Sequence, residues 1–354
     1  MQTDDSEWPL VSVVIPAFNA AATLDETLAS VLAQSWPRLE IIVVDDGSRD
    51  DTAAVLARHA PRVRAIRRDN GGLAAARNTG LRAATGDFIA LLDADDLCAP
   101  ERLGAQVAVM RRRPDVVLSA TEFSLFDESG TLSPRHARQY YSRLGAAAAG
   151  PATFFPERLE VDVGPWLPGA AAGGVTMAVQ VGDVSLPLAL GNFVHPPTVL
   201  FRRELLAAAG LFDETIRNCC DWEWLVRAAR VGKFAFIDRP LLRYRRSPSQ
   251  LSGPRHKLQL YSDVLDNLRR FARDDPRLLQ EQGRAWRRSV GRASVDLASA
   301  LVETDRLRAL RLLAQAASCG VVSLGWARHL AKAMIPGIVV RRIRARRAEA
   351  GSRG

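Results

Sequence analysis

Gly86-Asp87-Phe88-Ile89-Ala90-Leu91-Leu92-Asp93-Ala94-Asp95-Asp96 is an apolar run that ends abruptly in three carboxylates. The span from Phe88 to Leu92 has the length and bulk of a buried strand, so the acids fall where the chain leaves a sheet. Open α/β sheets bind their ligands at that edge. Asp93 and Asp95 are two positions apart. They can point the same way from an extended or turning backbone and offer two hard oxygen ligands for Mg²⁺ or Mn²⁺. An isolated D-x-D is better read as a solvated acidic turn capping the next helix, so a metal reading depends on the rest of the chain.

The residues before it repeat one pattern. Val11-Ser-Val-Val-Ile-Pro-Ala-Phe-Asn19 is a β-rich run closed by Asn, and Thr23-Leu-Asp-Glu26 has the form of a capping box for an amphipathic helix running to about Ser35. Leu39-Glu-Ile-Ile-Val-Val44 is a second strand that ends in Asp45-Asp46-Gly47-Ser48; Asp50, Asp51 and Thr52 can cap a helix over 53–59. A third strand over 63–67 leads to Asn70-Gly71-Gly72 and an alanine-rich helix carrying Arg77 and Asn78. Strands alternating with helices predict a mostly parallel sheet with its polar clusters at the carboxyl ends.

Composition narrows the choice further. The 354 residues are 47% apolar and 25% charged, as in a globular protein with room for more than one unit. Four cysteines without a C-x-x-C pair point to a reducing compartment and to no zinc site. The opening MQTDDSEWPL is polar and acidic, which is not a secretory signal of the usual kind, and no apolar run approaches the roughly 18 residues of a membrane span. The first glycine is Gly47, so the turn after the first strand cannot carry G-x-G-x-x-G, and Gly232-Lys233 lacks the P-loop spacing. The net charge of +9 is concentrated at the end, where seven basic residues face one acid from Lys332 onward. That cluster has no interleaved aromatics, so nucleic acid is not an expected partner.

Four motifs in register resemble the family 2 glycosyltransferases. They are Val11 to Asn19, Val43-Val-Asp-Asp-Gly-Ser48 with Asp50 and Thr52, Asn70-Gly-Gly with Ala76-Arg-Asn-Thr-Gly80, and Leu92-Asp-Ala-Asp-Asp96 with Pro100 and Leu103. The resemblance implies an α/β GT-A fold, a nucleoside-diphosphate sugar donor (a uridine nucleotide is expected), Mn²⁺ or Mg²⁺, and transfer with inversion. It places donor contacts on Pro16, Ala17, Asn19, Asp46, Arg77, Asp93 and Ala94, with Asp46 reading the base, Arg77 near the diphosphate, and Asp93 and Asp95 at the metal. Read alone, Asp46 could be an Asx turn and Arg77 a solvated helix face.

Further along, Gly210-Leu-Phe-Asp-Glu214 and Cys220-Asp221-Trp222-Glu223-Trp224 resemble the family's G-x-F-D-E and E-D-W segments. The resemblance makes Asp221 the catalytic base, with Cys220 standing where a glutamate is usual. Alternatively, Asp221 is an N-cap and the tryptophans are core. His195, Trp222 and Glu223 are candidates for the acceptor side, although a His before Pro196-Pro197 also suits a structural turn. Arg243-Tyr-Arg-Arg-Ser247 resembles a closing Y-R-x-H segment with Ser247 in the histidine position, and no Q-x-x-R-W follows, which disfavours processive polymerisation.

The expected layout is a GT-A domain over 1–250, divided into a nucleotide-sugar part (1–115) and an acceptor and catalytic part (116–250). A helical basic extension follows over 251–354. Residues 312–347, ending in Arg341-Arg-Ile-Arg-Ala-Arg-Arg347, suit an anionic bilayer surface or, equally, a solvated helix end. The expected setting is the cytoplasm, peripheral to the inner face of the plasma membrane, with a glycan or lipid-linked acceptor. A rival reading is a catalytically silent member that only binds nucleotide sugar or membrane.

Overall fold

The computed structural model describes residues 8–164, 174–247 and 256–334. The chain divides into two compact units, Met1–Gln250 and Leu251–Gly354. The first opens with β1 (Val11–Ala17), α1 (Leu24–Leu32), β2 (Leu39–Asp45), α2 (Thr52–His59), β3 (Arg64–Arg67), α3 (Leu73–Ala83) and β4 (Phe88–Leu91). These strands pair in parallel, with β1 between β2 and β4 and with β3 outside β2. Every residue of β1 and β4 is buried, which is why both read as near-continuous apolar runs. Pro16 is tolerated in this central strand because it lies beyond Val14, the last β1 residue paired with β4.

The sheet then becomes mixed. After β5 (Leu97–Cys98) and α4 (Arg102–Arg112) come β6 (Val116–Asp127), β7 (Gly130–Ser133), α5 (Ala137–Tyr140), α6 (Ser142–Ala146), β8 (Glu157–Asp162), β9 (Thr176–Gly182), α7 (Ser185–Ala189), β10 (Leu200–Arg202), α8 (Leu205–Ala209), α9 (Cys220–Ala229) and β11 (Lys233–Arg245). The main order is β3-β2-β1-β4-β10-β6-β11-β9-β8. Parallel pairing holds through β1 to β4 and between β6 and β11, whereas β10 runs antiparallel to both neighbours. The turn at Pro196–Thr198 delivers β10 in that direction, and only three residues pair.

The expected capping box at Thr23 does not form: Thr23 and Thr27 both donate their hydroxyls to Ala94 O, at 2.9 and 3.0 Å. Tertiary bonding has taken the side chain that the local pattern assigned to the helix end. The sequence over 164–174 is rich in Gly, Pro and Ala, a loop composition, and 165–173 lie outside the described residues.

Gly80 sets how closely α3 approaches the sheet. A Cβ there would come within 2.4 Å of Val14 Cγ1 and 3.3 Å of Val44 Cγ2. The helix backbone therefore rests directly on β1 and β2. Arg77, one turn earlier on the same face, is carried over the carboxyl edge of the sheet.

The second unit contains α10 (Lys257–Asp274), α11 (Arg277–Leu301), α12 (Arg306–Ser318) and α13 (Leu324–Met334). Asp305 caps α12 by accepting from Arg308 N at 3.0 Å, and Asp275 accepts from Arg277 N at 3.1 Å at the head of α11. Among the described residues no helix is long and apolar enough to cross a membrane.

Gly80→Ala should force α3 off the sheet. Overpacking of this kind costs about 1–3 kcal/mol, measurable by urea unfolding, and it should weaken donor binding through the displacement of Arg77.

Candidate active site

The loops after β1, β2 and β3 are bonded to one another. Asn19 adopts φ 51°, a conformation that asparagine tolerates better than most residues. Its N–H donates to Ser48 Oγ at 2.9 Å, and its Oδ1 accepts from Arg49 N at 2.9 Å. Ala20 N donates to Thr52 Oγ1 at 2.9 Å and Ala21 N to Asp50 Oδ2 at 3.0 Å, so Asp50 and Thr52 serve the neighbouring loop as well as α2. Pro16 and Ala17 are buried beneath, with Ala17 O accepting from Asp46 N at 2.8 Å. Gly47, at φ 78°, lets this ledge approach the next loop, since a Cβ there would stand 2.9 Å from Asn70 N.

Asp46 is 3% exposed, and its carboxylate is already engaged. Gly71 N donates to both of its oxygens at 3.1 and 3.2 Å, Gly72 N donates to Oδ2 at 2.8 Å, and Arg68 lies 3.5 Å away. In this state the carboxylate holds the β3–α3 turn.

The acids that follow β4 meet Arg77 and Arg245. Arg77 is 1% exposed; its Nη2 donates to Asp93 Oδ1 at 2.9 Å, and its Cζ lies 5.6 Å from the Phe212 ring centroid. Its Nε and Nη1 are buried and bonded to no protein acceptor. Asp93 is partly open, whereas burial and the charge of Asp93 push the Asp95 carboxyl up to about 6. Arg245, at the end of β11, fixes the turn: its N–H donates to Asp96 Oδ1 at 2.9 Å, its Nε donates to Asp95 O at 2.8 Å, and its guanidinium pairs with Glu26. Asp96 is fully buried, and burial together with Asp95 and Asp93 raises its pKa well above the carboxylate range.

Two neighbouring carboxylates form a hard-oxygen donor set that suits Mg²⁺ or Mn²⁺. Among the described residues no group of three or more His, Cys, Asp or Glu could hold a metal ion. A cation on Asp93 and Asp95 would complete its shell with phosphate oxygens and water, the usual manner of Mg²⁺.

Asp221 lies in the first turn of α9, and its Oδ1 accepts from Trp222 N at 2.7 Å. Burial raises its pKa, the charge of Arg77 opposes that shift, and the charge of Asp93 adds to it, so all three groups share one electrostatic neighbourhood. Cys220, in the position of the family's glutamate, is a neutral thiol that burial pushes up to about 12. Trp222 and Trp224 anchor the helix from below: their indole N–H groups donate to Leu188 O and Gly210 O, both at 2.8 Å. Trp222 is thus a 3% exposed core residue. Glu223, 4% exposed, is committed to Arg227, with bonds of 2.7 and 2.8 Å. The structure does not bring these two acceptor-side candidates to an open surface.

His195 is 6% exposed and stacks on Phe123 with centroids 4.2 Å apart. Its Nδ1 lies 3.1 Å from Tyr141 Oη, Tyr140 and Tyr244 present their edges at 5.5 and 4.8 Å, and its buried Nε2 has no protein partner. Burial, followed by the charge of Arg77, pushes it down to about 3, so the ring is neutral at ordinary pH.

Residues 12–156 match the family description "Glycosyl transferase family 2". These residues form a domain similar to the family 2 glycosyltransferases. The chain is 26% identical over 259 residues to an uncharacterized glycosyltransferase of Rickettsia prowazekii, a match covering 72% of this chain and 70% of that protein. TuaG of Bacillus subtilis, a glycosyltransferase proposed to act in teichuronic acid biosynthesis, is 39% identical over 127 residues, which are 35% of this chain and 50% of that one. The mannosyltransferase PcManGT of Pyrobaculum calidifontis, solved with GDP-Man and Mn²⁺, superposes with a TM-score of 0.52 at 20% identity, covering 92% of this chain and 85% of that one. TarS 1–349 of S. aureus, solved with UDP-GlcNAc, superposes at 0.51 with 16% identity, covering 88% and 89%. The fold is GT-A.

Asn78 lies inside the Ala76–Gly80 motif, but the motif does not announce its structural role. Asn78 donates to Phe212 O at 2.9 Å and to Glu214 Oε1 at 2.8 Å, and accepts from Phe212 N at 2.9 Å. It thereby sets the ring beside Arg77. Glu223→Gln should lower stability by about 1–3 kcal/mol, through the loss of a charged partner for Arg227, while nucleotide-sugar affinity stays unchanged by calorimetry.

Proposed function

We propose that the domain transfers a sugar from a nucleoside-diphosphate sugar, preferably a uridine one, to a hydroxyl of a glycan or lipid-linked acceptor during polysaccharide assembly, with inversion at the anomeric carbon. The observation that carries this reading is Arg77: a fully buried guanidinium with one N–H on Asp93 and two nitrogens lacking a protein acceptor suits an anionic ligand such as a diphosphate. Asp221 accepts the proton from the acceptor hydroxyl as its oxygen attacks the anomeric carbon, the glycosidic bond to the diphosphate breaks, and the negative charge leaves on the phosphate facing Arg77. A divalent cation bound at Asp93 and Asp95 would supply Lewis-acid stabilisation of that leaving group. His195 is a neutral hydrogen-bonding group on the acceptor side. A nucleotide-sugar donor and unbridged cysteines support a cytoplasmic site of action.

A panel of nucleotide sugars scored by nucleotide release tests the donor class. Chelation by EDTA should abolish turnover and Mn²⁺ or Mg²⁺ should restore it, with Asp95→Ala more damaging than Asp93→Ala; full activity in metal-free buffer would refute the metal. Asp221→Asn should cut transfer by about 10²- to 10⁴-fold, with donor binding retained. The base must be ionised to act, and burial raises its pKa. Activity should therefore fall, as pH drops, at a value above that of an ordinary carboxylate. An Asp221→Asn enzyme that turns over normally would reduce the residue to a helix cap.

A further inference from the structure

We propose that the outward face of α13 docks the protein on the surface of an anionic lipid bilayer; this goes beyond the transfer reaction and does not rest on it. The helix has two faces with different duties. Trp326, His329, Leu330 and Ala333, at helical spacing, turn inward, with Trp326 Nε1 donating to Leu313 O at 2.8 Å and Ala333 buried. On the other side Leu324 is 92% exposed and Met334 70%, with Ala327, Arg328 and Ala331 between them and Lys332 alongside, all exposed. Val322, in the turn before the helix, is 65% exposed. Large apolar side chains at such exposure gain nothing from water, and here they fall on one stripe flanked by cations.

Charge selects the occupant. Between Arg306 and Arg347 the sequence has ten arginines and lysines and no aspartate or glutamate. The acid facing this helix is Asp296 of α11, which acts on the inward His329. An apolar stripe bordered by arginine and lysine, without an acid on its face, is what a helix lying in the plane of an anionic interface requires. Nucleic acid is a poorer match, because the exposed stripe carries leucine and methionine and no aromatic ring for stacking. The basic run Arg341–Arg347 continues the positive stretch in sequence and lies outside the described residues.

The full chain should float with phosphatidylcholine vesicles containing phosphatidylserine and not with phosphatidylcholine alone, and high salt should release it. The pair Arg328→Gln with Lys332→Gln should weaken partitioning by about 25-fold, roughly fivefold for each basic residue near the surface. Leu324→Asp with Met334→Asp should weaken it comparably, and circular dichroism should confirm that both variants fold. Failure of the wild type to float would overturn the proposal. So would flotation of both double variants at the wild-type level, or an RNA affinity that competes with the vesicles. If ending the chain at Ala333 abolishes flotation while the α13 variants float like wild type, the helix face is not the docking element.

Discussion

A guanidinium with no exposure to water is costly unless its surroundings compensate, and in this glycosyltransferase the compensation at Arg77 is incomplete. Asp93 satisfies one nitrogen, Phe212 lies within cation–π distance, and Nε and Nη1 have no protein acceptor. An unpaired buried donor costs about 1–3 kcal/mol. An arrangement of this kind persists only where the surrounding packing over-determines it. Gly80 presses α3 onto the sheet, and Asn78 bonds the Phe212 segment in both directions. The parts of the domain before and after residue 115 meet at this helix, as they also do where β10 pairs with β4 and where Arg245 bonds Asp95 and Asp96.

The nucleotide half was legible because its signals are local. The buried parallel strands β1, β2 and β4 read as apolar runs, the polar residues at their ends mark the carboxyl edge, and the exposed β3 falls between the last two in sequence. The contacts that lock the edge together were not legible. Asp46 reaches Gly71 and Gly72 across a strand, and Thr23 bypasses its own helix end for Ala94, some seventy positions away. Arg102 and Gln106 look like the polar face of α4 in sequence. They are instead fully buried: Arg102 donates to Leu91 O and Val199 O at 3.1 and 3.2 Å, and Gln106 to Ser119 O and Thr198 O at 3.0 and 2.9 Å.

The rest of the first unit, after residue 115, was mostly illegible. Phe123, Tyr140, Tyr141, His195 and Tyr244 come from separate parts of the chain and converge on one aromatic cluster. No spacing rule connects them. The antiparallel insertion of β10 depends on a three-residue strand delivered by Pro196–Thr198, too short for periodicity to reveal. The second unit, by contrast, follows its helical pattern closely, because its caps at Asp275 and Asp305 act within three residues of themselves.

Electrostatics links the proposed base to the leaving group. Arg77 bonds Asp93 and lowers the pKa of Asp221, so one buried charge faces both carboxylates. An additional acid next to Asp221 would compete for that field and raise the pKa of the base further. Cys220 occupies the position where the resembling family has a glutamate, and its buried thiol, pushed up to about 12, carries no charge at neutral pH. The substitution therefore leaves the guanidinium shared between two anions rather than three. It favours an ionised Asp221 despite its partial burial, at the expense of any orienting bond that a longer carboxylate could have given. In this chain that orientation comes instead from the Trp222 backbone N–H, and the two indole anchors hold the helix start in place.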